Sequence, residues 1–168
     1  MQEIFYGAAI QGASNREERA AINEFAISII KSEGFSVTSE HTQGKNRLET
    51  ARFFEDAFGK VPPGIERSVY IRRTLLQLID SQIVAAIFEA SVPSLGTGIE
   101  IDRVCTRKDR GFLAIPLLIL YQKDYWTSGL STMVKGISPE EVPDFYLSEY
   151  TEKISLAQSI KDFLQNLK

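Results

Sequence analysis

Apolar residues follow two different patterns along this chain. The first is a short segment dense in apolar, β-branched and aromatic residues, bounded by polar residues, glycine or proline, which is typical of strands buried in a sheet. This pattern predicts five strands. They are residues 3–10 (EIFYGAAI), 35–41 (FSVTSEH), 83–90 (IVAAIFEA), 112–121 (FLAIPLLILY) and 144–150 (DFYLSEY).

The second pattern repeats apolar residues every three or four positions, which is the spacing of one helix face. In the first predicted helix, SNRE (Ser14–Glu17) has the form of a capping box and Gly34 is a stop signal. Its apolar face is Ile22, Phe25, Ala26, Ile29 and Ile30, and that of the last helix is Leu156, Ile160, Phe163, Leu164 and Leu167. Further helices are predicted over 66–82, 98–107 and 128–136.

Strands and helices therefore alternate through the whole chain. Alternation with apolar strands indicates a parallel sheet covered by helices on both faces. We predict a single doubly wound α/β domain over residues 1–168, flavodoxin- or Rossmann-like, with a five-stranded parallel sheet. Residues 42–63 are polar and form either an irregular insertion or a segment with a short helix over 48–58.

Composition narrows the classes of partner and site. The chain has 168 residues and a net charge of −3, which argues against polymeric nucleic acid as a partner. Cys105 is the only cysteine and His41 the only histidine, which disfavours disulfides, zinc sites and paired-histidine metal sites. We expect neither a metal nor a cofactor.

Targeting signals are also missing from the sequence. The segment MQEIFYGAAIQG lacks the basic start and long apolar core of a signal peptide. The run FLAIPLLILY is about half the ~20 residues that cross a membrane. We therefore predict a cytoplasmic protein with no membrane partner.

The predicted fold indicates where a ligand would bind. In open α/β sheets, ligands bind beyond the carboxyl ends of the strands, where the winding reverses. The loop EASVPSLGTG follows the third strand and opens a helix, whose free N–H groups attract anions. Gly96 and Gly98 lie in it, either as ordinary turn residues or as a close approach to a ligand, and Glu100 follows them. Because the Glu100 carboxylate would repel an anion bound at this helix start, we expect it to have a chemical role.

Four segments carry a likeness to a known family: FYGAAIQG (5–12), TSEH (38–41), PSLGTGIE (93–100) and LSTMVKG (130–136). The order and spacing of these four segments make the chain resemble the nucleoside 2-deoxyribosyltransferase family. The likeness is closest to its branch of 2′-deoxynucleoside 5′-phosphate N-hydrolases. It extends over nearly the whole chain and omits residues 42–68.

The resemblance implies cleavage or exchange of the N-glycosidic bond of a deoxynucleoside or its monophosphate. It makes Glu100 the nucleophile and Ser94 a phosphate contact. It also implies a homodimer in which Ser131 comes from the neighbouring chain. The substrate-binding positions that it implies are Tyr6, Ala9, Ile10, Gln11, Gly12, His41, Ser94, Gly96, Gly98, Ser131 and Met133.

Two features depart from the family. Thr74 stands where its members usually have a catalytic aspartate, and Glu89, at the end of the third strand, is the better-placed substitute. Ala8, Ala9 and Gln11 stand where the hydrolases have small polar residues and an arginine. Hydrolysis, deoxyribosyl transfer between bases and a catalytically silent nucleotide-binding domain therefore all stay open, as do the base and the sugar.

Overall fold

The structure is a computed structural model that describes residues 1–10, 15–126 and 129–168. Its sheet is entirely parallel, with the strands in the order β2-β1-β3-β4-β5. This is the flavodoxin-like order of doubly wound proteins, so the predicted fold class is confirmed. The strands are β1 (Glu3–Ala8), β2 (Ser36–Val37), β3 (Ala85–Glu89), β4 (Leu117–Gln122) and β5 (Phe145–Tyr150).

Helices lie on both faces of this sheet, as the alternation predicts. They are α1 (Arg16–Ser32), α2 (Arg47–Phe58), α3 (Arg67–Asp80), α4 (Leu95–Cys105), α5 (Thr132–Lys135) and α6 (Lys153–Gln165). Short 3₁₀ turns occur at Glu40–Gln43 and Lys108–Arg110. No helix in the described part of the chain has the length and apolar character that crossing a membrane requires.

Alternating side chains of the strands divide the core into two layers. Ile4 and Tyr6 of β1 point to one face, where they pack with apolar residues of α1 and α6. Phe5 of β1 and Phe88 of β3 point to the opposite face, toward α3 and α4. This alternation places the residue after Tyr6, Gly7, on the α3–α4 side of the sheet.

The second strand is shorter than predicted, because a side chain takes over its hydrogen bonds. The prediction spans 35–41, whereas β2 pairs with β1 only at Ser36 and Val37. Beyond them the Ser39 hydroxyl accepts from the Tyr6 N–H at 3.0 Å and donates to the Tyr6 carbonyl. The ladder ends there, and the chain turns into the 3₁₀ turn that holds His41.

Two other boundaries differ for similar local reasons. The fourth strand begins at Leu117 instead of 112, since Pro116 has no N–H for the ladder. Helix α4 begins at Leu95, three residues before the predicted start, because the Ser94 hydroxyl caps it by accepting from Thr97 N at 3.4 Å. Gly96 and Gly98 are therefore helical residues, and the turn interpretation of them is wrong.

The first and second helices begin at asparagine caps. The side chain of Asn15 accepts from Glu18 N at 3.2 Å and starts α1. Ser14, the predicted cap, lies outside the described residues. In the segment 42–63 the helical alternative is confirmed, since α2 begins after Asn46, whose side chain accepts from Glu49 N at 3.0 Å.

Candidate functional site

A cavity of about 530 Å³ lies at the carboxyl end of β1 and is bounded by the start of α4, the helix that follows β3. The chain runs from β1 to β2 on one side and later returns to β3 on the other, so these two neighbours form the point where the winding reverses. The cavity wall includes the end of β1, the first turn of α4, and parts of α1, α2 and α3. The position is the one that the fold predicts for a ligand.

Glu100 reaches this cavity from α4 and faces the end of β1. A Cβ atom at Gly7 would lie 3.1 Å from Glu100 Oε2 and 2.3 Å from Phe88 Cε1. Only glycine therefore leaves space for both side chains. Within the described residues, the Glu100 carboxyl has no hydrogen bond or ion pair, and burial raises its pKa to about 7.

The start of α4 forms the wall next to Glu100. Ser94, Gly96 and Thr97 line the cavity, and the N-terminal N–H groups of α4 give this wall a positive partial charge. Gly98 lines a different cavity. A Cβ at Gly98 would meet nothing within 4 Å, so packing inside this chain does not require glycine there.

His41 also lines this cavity and is 6% exposed. Its ring meets the Phe54 ring edge to face, with centroids 5.7 Å apart. Burial lowers its pKa to about 4, so the imidazole is neutral at pH 7. Its Nδ1 is buried and has no hydrogen-bond partner among the described residues. The structure thus brings His41 into the same cavity as Glu100.

Three arginines line the same cavity, and none of them was predicted from the sequence as a site residue. Arg16 belongs to α1, Arg47 to α2 and Arg67 to α3. Arg16 is held in place by hydrogen bonds to Thr50 Oγ1 at 2.6 Å and to the Gly44 carbonyl at 3.4 Å. Each arginine directly follows the polar residue whose side chain caps its helix. That pairing of a cap residue with arginine is the sequence signal that could have identified them.

Glu89 does not face this cavity, although it ends β3. Its carboxylate is buried and accepts from Ser91 N at 3.2 Å and from the Tyr150 hydroxyl at 3.0 Å. Arg19 Nη1 lies 3.7 Å away, and the same guanidinium donates to Gln122 Oε1 at 2.7 Å. Glu89 is thus part of a buried polar network between α1 and the strand ends, and it does not replace a cavity carboxylate.

Thr74 also lies outside the cavity lining. Helix α3 turns Ser68, Ile71 and Leu75 toward the cavity, at the spacing of a single helix face. The next residue along a helix is rotated by about 100°, so Thr74 beside Leu75 faces elsewhere. The structure gives Thr74 no contact with the Glu100 pocket.

Ser131 and Met133 line a second cavity, of about 730 Å³, between α4 and α5. Ser131 caps α5 by accepting from Met133 N at 3.3 Å. Ser94 and Thr97 line both cavities, so the first turn of α4 separates them. Within one chain, Ser131 and Glu100 are therefore on different sides of this turn.

The first loop is only partly described. Tyr6 and Ile10 line the cavity, and the buried Tyr6 hydroxyl donates to Asn23 Oδ1 at 2.9 Å. Ala9 is buried and does not line it. Gln11 and Gly12 lie outside the described residues. Across residues 1–10, 15–126 and 129–168, no three metal-binding side chains form a group.

Neither a scan against protein-family models nor a search of curated proteins finds a match for this chain.

Proposed function

We propose that the protein cleaves the N-glycosidic bond of a nucleoside, a deoxynucleoside or the 5′-monophosphate of either, with Glu100 as the nucleophile. One observation carries this proposal. Within the described residues, the Glu100 carboxyl has no hydrogen bond or ion pair, and it reaches the cavity at the point where the winding of the sheet reverses. A carboxyl that the fold desolvates without pairing, at a ligand-binding position, is typical of catalytic acids, bases and nucleophiles.

The chemistry needs one carboxylate beneath the anomeric carbon of the sugar. As the C–N bond breaks, positive charge builds on the sugar ring, and the Glu100 carboxylate stabilises it and forms a glycosyl ester. The bonding electrons leave with the base, which takes up a proton. Water then cleaves the ester, releasing the sugar and restoring Glu100. Because burial raises its pKa to about 7, the nucleophilic form is populated chiefly above that pH.

The cavity walls offer suitable surroundings for the two ends of such a substrate. The first turn of α4, with the Ser94 hydroxyl, supplies N–H and O–H donors for a phosphate. The Phe54 ring, the Ile71 side chain and the neutral His41 ring supply an apolar and aromatic wall for a base.

We also propose that the active form is a homodimer. Ser131 lies on the far side of the first turn of α4 from Glu100, so its hydroxyl reaches a Glu100 pocket only in a second copy. Met133 beside it is 84% exposed, as is expected of an apolar residue that a partner covers. A sedimentation run that finds an active monomer would contradict this arrangement.

The experiment is an assay of base release with a panel of nucleosides, deoxynucleosides and their 5′-monophosphates. We expect free base without an added acceptor, and Glu100→Gln should reduce turnover by about 10² or more while the protein stays folded. Glu24→Gln is the matched control, because it makes the same change at an exposed position outside both cavities.

Three results would redirect the proposal. Product formed only with an acceptor base would identify a deoxyribosyltransferase that uses the same nucleophile. No product with any substrate would favour a silent nucleotide-binding domain, consistent with Thr74 and Glu89 both facing away from the cavity. Unchanged turnover in the Glu100→Gln protein would remove Glu100 from the chemistry.

A further inference from the structure

The three cavity arginines share an unusual position. Arg16, Arg47 and Arg67 are each the first residue of their helix, in α1, α2 and α3. A cation at a helix N-terminus opposes the helix dipole, and acidic residues are the favoured choice there. Three of the four helices that begin with a cation place it at one cavity, and the fourth is α6, whose Lys153 lies outside that lining. Residues that break a local rule together, at one place, are expected at functional sites.

The charge of the cavity wall exceeds what one phosphate can balance. The guanidiniums bring three positive charges, and the N-termini of α1, α2, α3 and α4 bring about half a charge each. In the described lining the opposing groups are the carboxyls of Glu66 and Glu100. Even with both ionised, about three positive charges are left, whereas a phosphate monoester carries at most two negative ones.

A second observation is an unpartnered buried nitrogen in the cavity wall. His41 is 6% exposed and its Nδ1 has no hydrogen-bond partner in the described part of the chain. A buried polar atom without a partner is unfavourable unless something binds it. The His41 side chain lines the same cavity as the three arginines, beside Phe54 of α2.

We propose that Arg16, Arg47 and Arg67 form an anion subsite for a nucleotide that carries more than one phosphate, a nucleoside 5′-diphosphate or 5′-triphosphate. This inference rests on the proposed function for the sugar and base. The N–H groups at the start of α4 take one phosphate, and the guanidiniums take the further ones through paired hydrogen bonds. Arg16 is already oriented by Thr50 and Gly44, while Arg47 and Arg67 are exposed and close onto the ligand.

The test is a calorimetric titration with the Glu100→Gln protein, which does not consume the ligand, in buffer without divalent cations. The ligands are 2′-deoxyguanosine, its 5′-mono-, di- and triphosphates, the deoxycytidine series and inorganic triphosphate. We expect at least tenfold tighter binding of a triphosphate than of the matching monophosphate. Inorganic triphosphate should bind at least tenfold more weakly than the nucleotide triphosphate.

A pair of charge-matched variants isolates the subsite. Arg47→Gln with Arg67→Gln should remove most of the triphosphate advantage and leave the affinity for the free nucleoside within about twofold. Arg52→Gln with Arg72→Gln is the control, because it removes two exposed arginines from the same two helices without touching the cavity lining. This control should keep the triphosphate advantage.

Three outcomes would overturn the subsite. They are equal affinity for mono- and triphosphates, an equal loss in the control variant, and inorganic triphosphate binding as tightly as the nucleotide. Failure of the proposed function looks different. If the binding pattern holds and the wild-type protein releases no base, the anion subsite stands and the glycosidase proposal falls.

Discussion

Replacing Glu100 with glutamine should stabilise the protein in a way that depends on pH. The side chains have nearly the same shape, so the substitution removes the charge and little else. In the folded protein, burial raises the carboxyl pKa from an ordinary 4.5 to about 7. Since each pKa unit corresponds to about 1.4 kcal/mol, the ionised carboxylate destabilises the fold by about 3 kcal/mol.

The sign follows from proton binding. Below pH 4.5 the carboxyl is protonated in both the folded and the unfolded states, so Glu100 and glutamine behave alike. Between pH 4.5 and about 7 the unfolded chain loses the proton while the folded protein keeps it. The unfolded state then binds fewer protons, and the stability of the wild type falls as pH rises. Above pH 7 the loss is complete.

The assay is urea unfolding of both proteins at half-unit steps from pH 4 to pH 8. We expect the unfolding free energies to be similar at pH 4 and to differ by about 3 kcal/mol, in favour of Glu100→Gln, at pH 8. Other titrating groups are common to both proteins and cancel in the difference. A difference that stays constant across this range would refute the placement of Glu100 in a desolvated cavity.

Two further substitutions test the packing that supports the site. Gly7→Ala places a Cβ 2.3 Å from a ring atom of Phe88 and should lower the unfolding free energy by about 1–3 kcal/mol. Gly98→Ala is the comparison and should not lower it, because a Cβ there meets nothing within 4 Å. Equal effects of the two substitutions in urea unfolding would contradict the close approach at Gly7. Glu89→Ala leaves the buried Arg19 without its carboxylate and should lower the free energy of urea unfolding by about 3–5 kcal/mol. A loss below about 1 kcal/mol would mean that the Arg19–Glu89 pair is not desolvated.

Much of the fold was predictable because parallel strands have strong local patterns. Buried runs such as IVAAIFEA exclude most alternatives, and amphipathic helices between them leave few ways to cover the sheet. Glu100 and His41 were predictable as cavity residues for a related reason. Both follow strand ends, and the carboxyl ends of parallel strands meet at one edge of the sheet.

The orientation of single side chains could be predicted less well from the sequence. Glu89 at the end of β3 looked available, but its nearest cation is Arg19, which precedes it by 70 positions and joins it only in the folded protein. Thr74 illustrates a finer limit. A change of one residue rotates a helical side chain by about 100°, so Leu75 lines the cavity and Thr74 does not. Local patterns identify a helix face, and only packing decides its rotation.

The arginines were missed because their meaning depends on where each helix begins. Within a sequence, Arg47 is one basic residue in a polar segment, and a predicted helix boundary is uncertain by several positions. Once Asn46 is seen to cap α2, Arg47 becomes its first residue and is unfavourable toward the helix dipole. The functional signal lies in the combination of cap, helix start and cavity.

Several unfavourable features meet at this cavity. Glu100 is desolvated without a partner in the described chain, His41 Nδ1 is buried without one, and the arginines oppose three helix dipoles. Outside the cavity lining, Arg19 Nε and Arg110 Nε are also buried without a partner in the described chain, whereas the buried Arg107 donates to the carbonyls of Ile79, Ser81 and Leu113. A bound anionic nucleotide would supply partners to the cavity groups, so ligand binding should stabilise the fold as well as start the chemistry. Part of the free energy that these unpaired groups cost the fold would then be recovered on ligand binding.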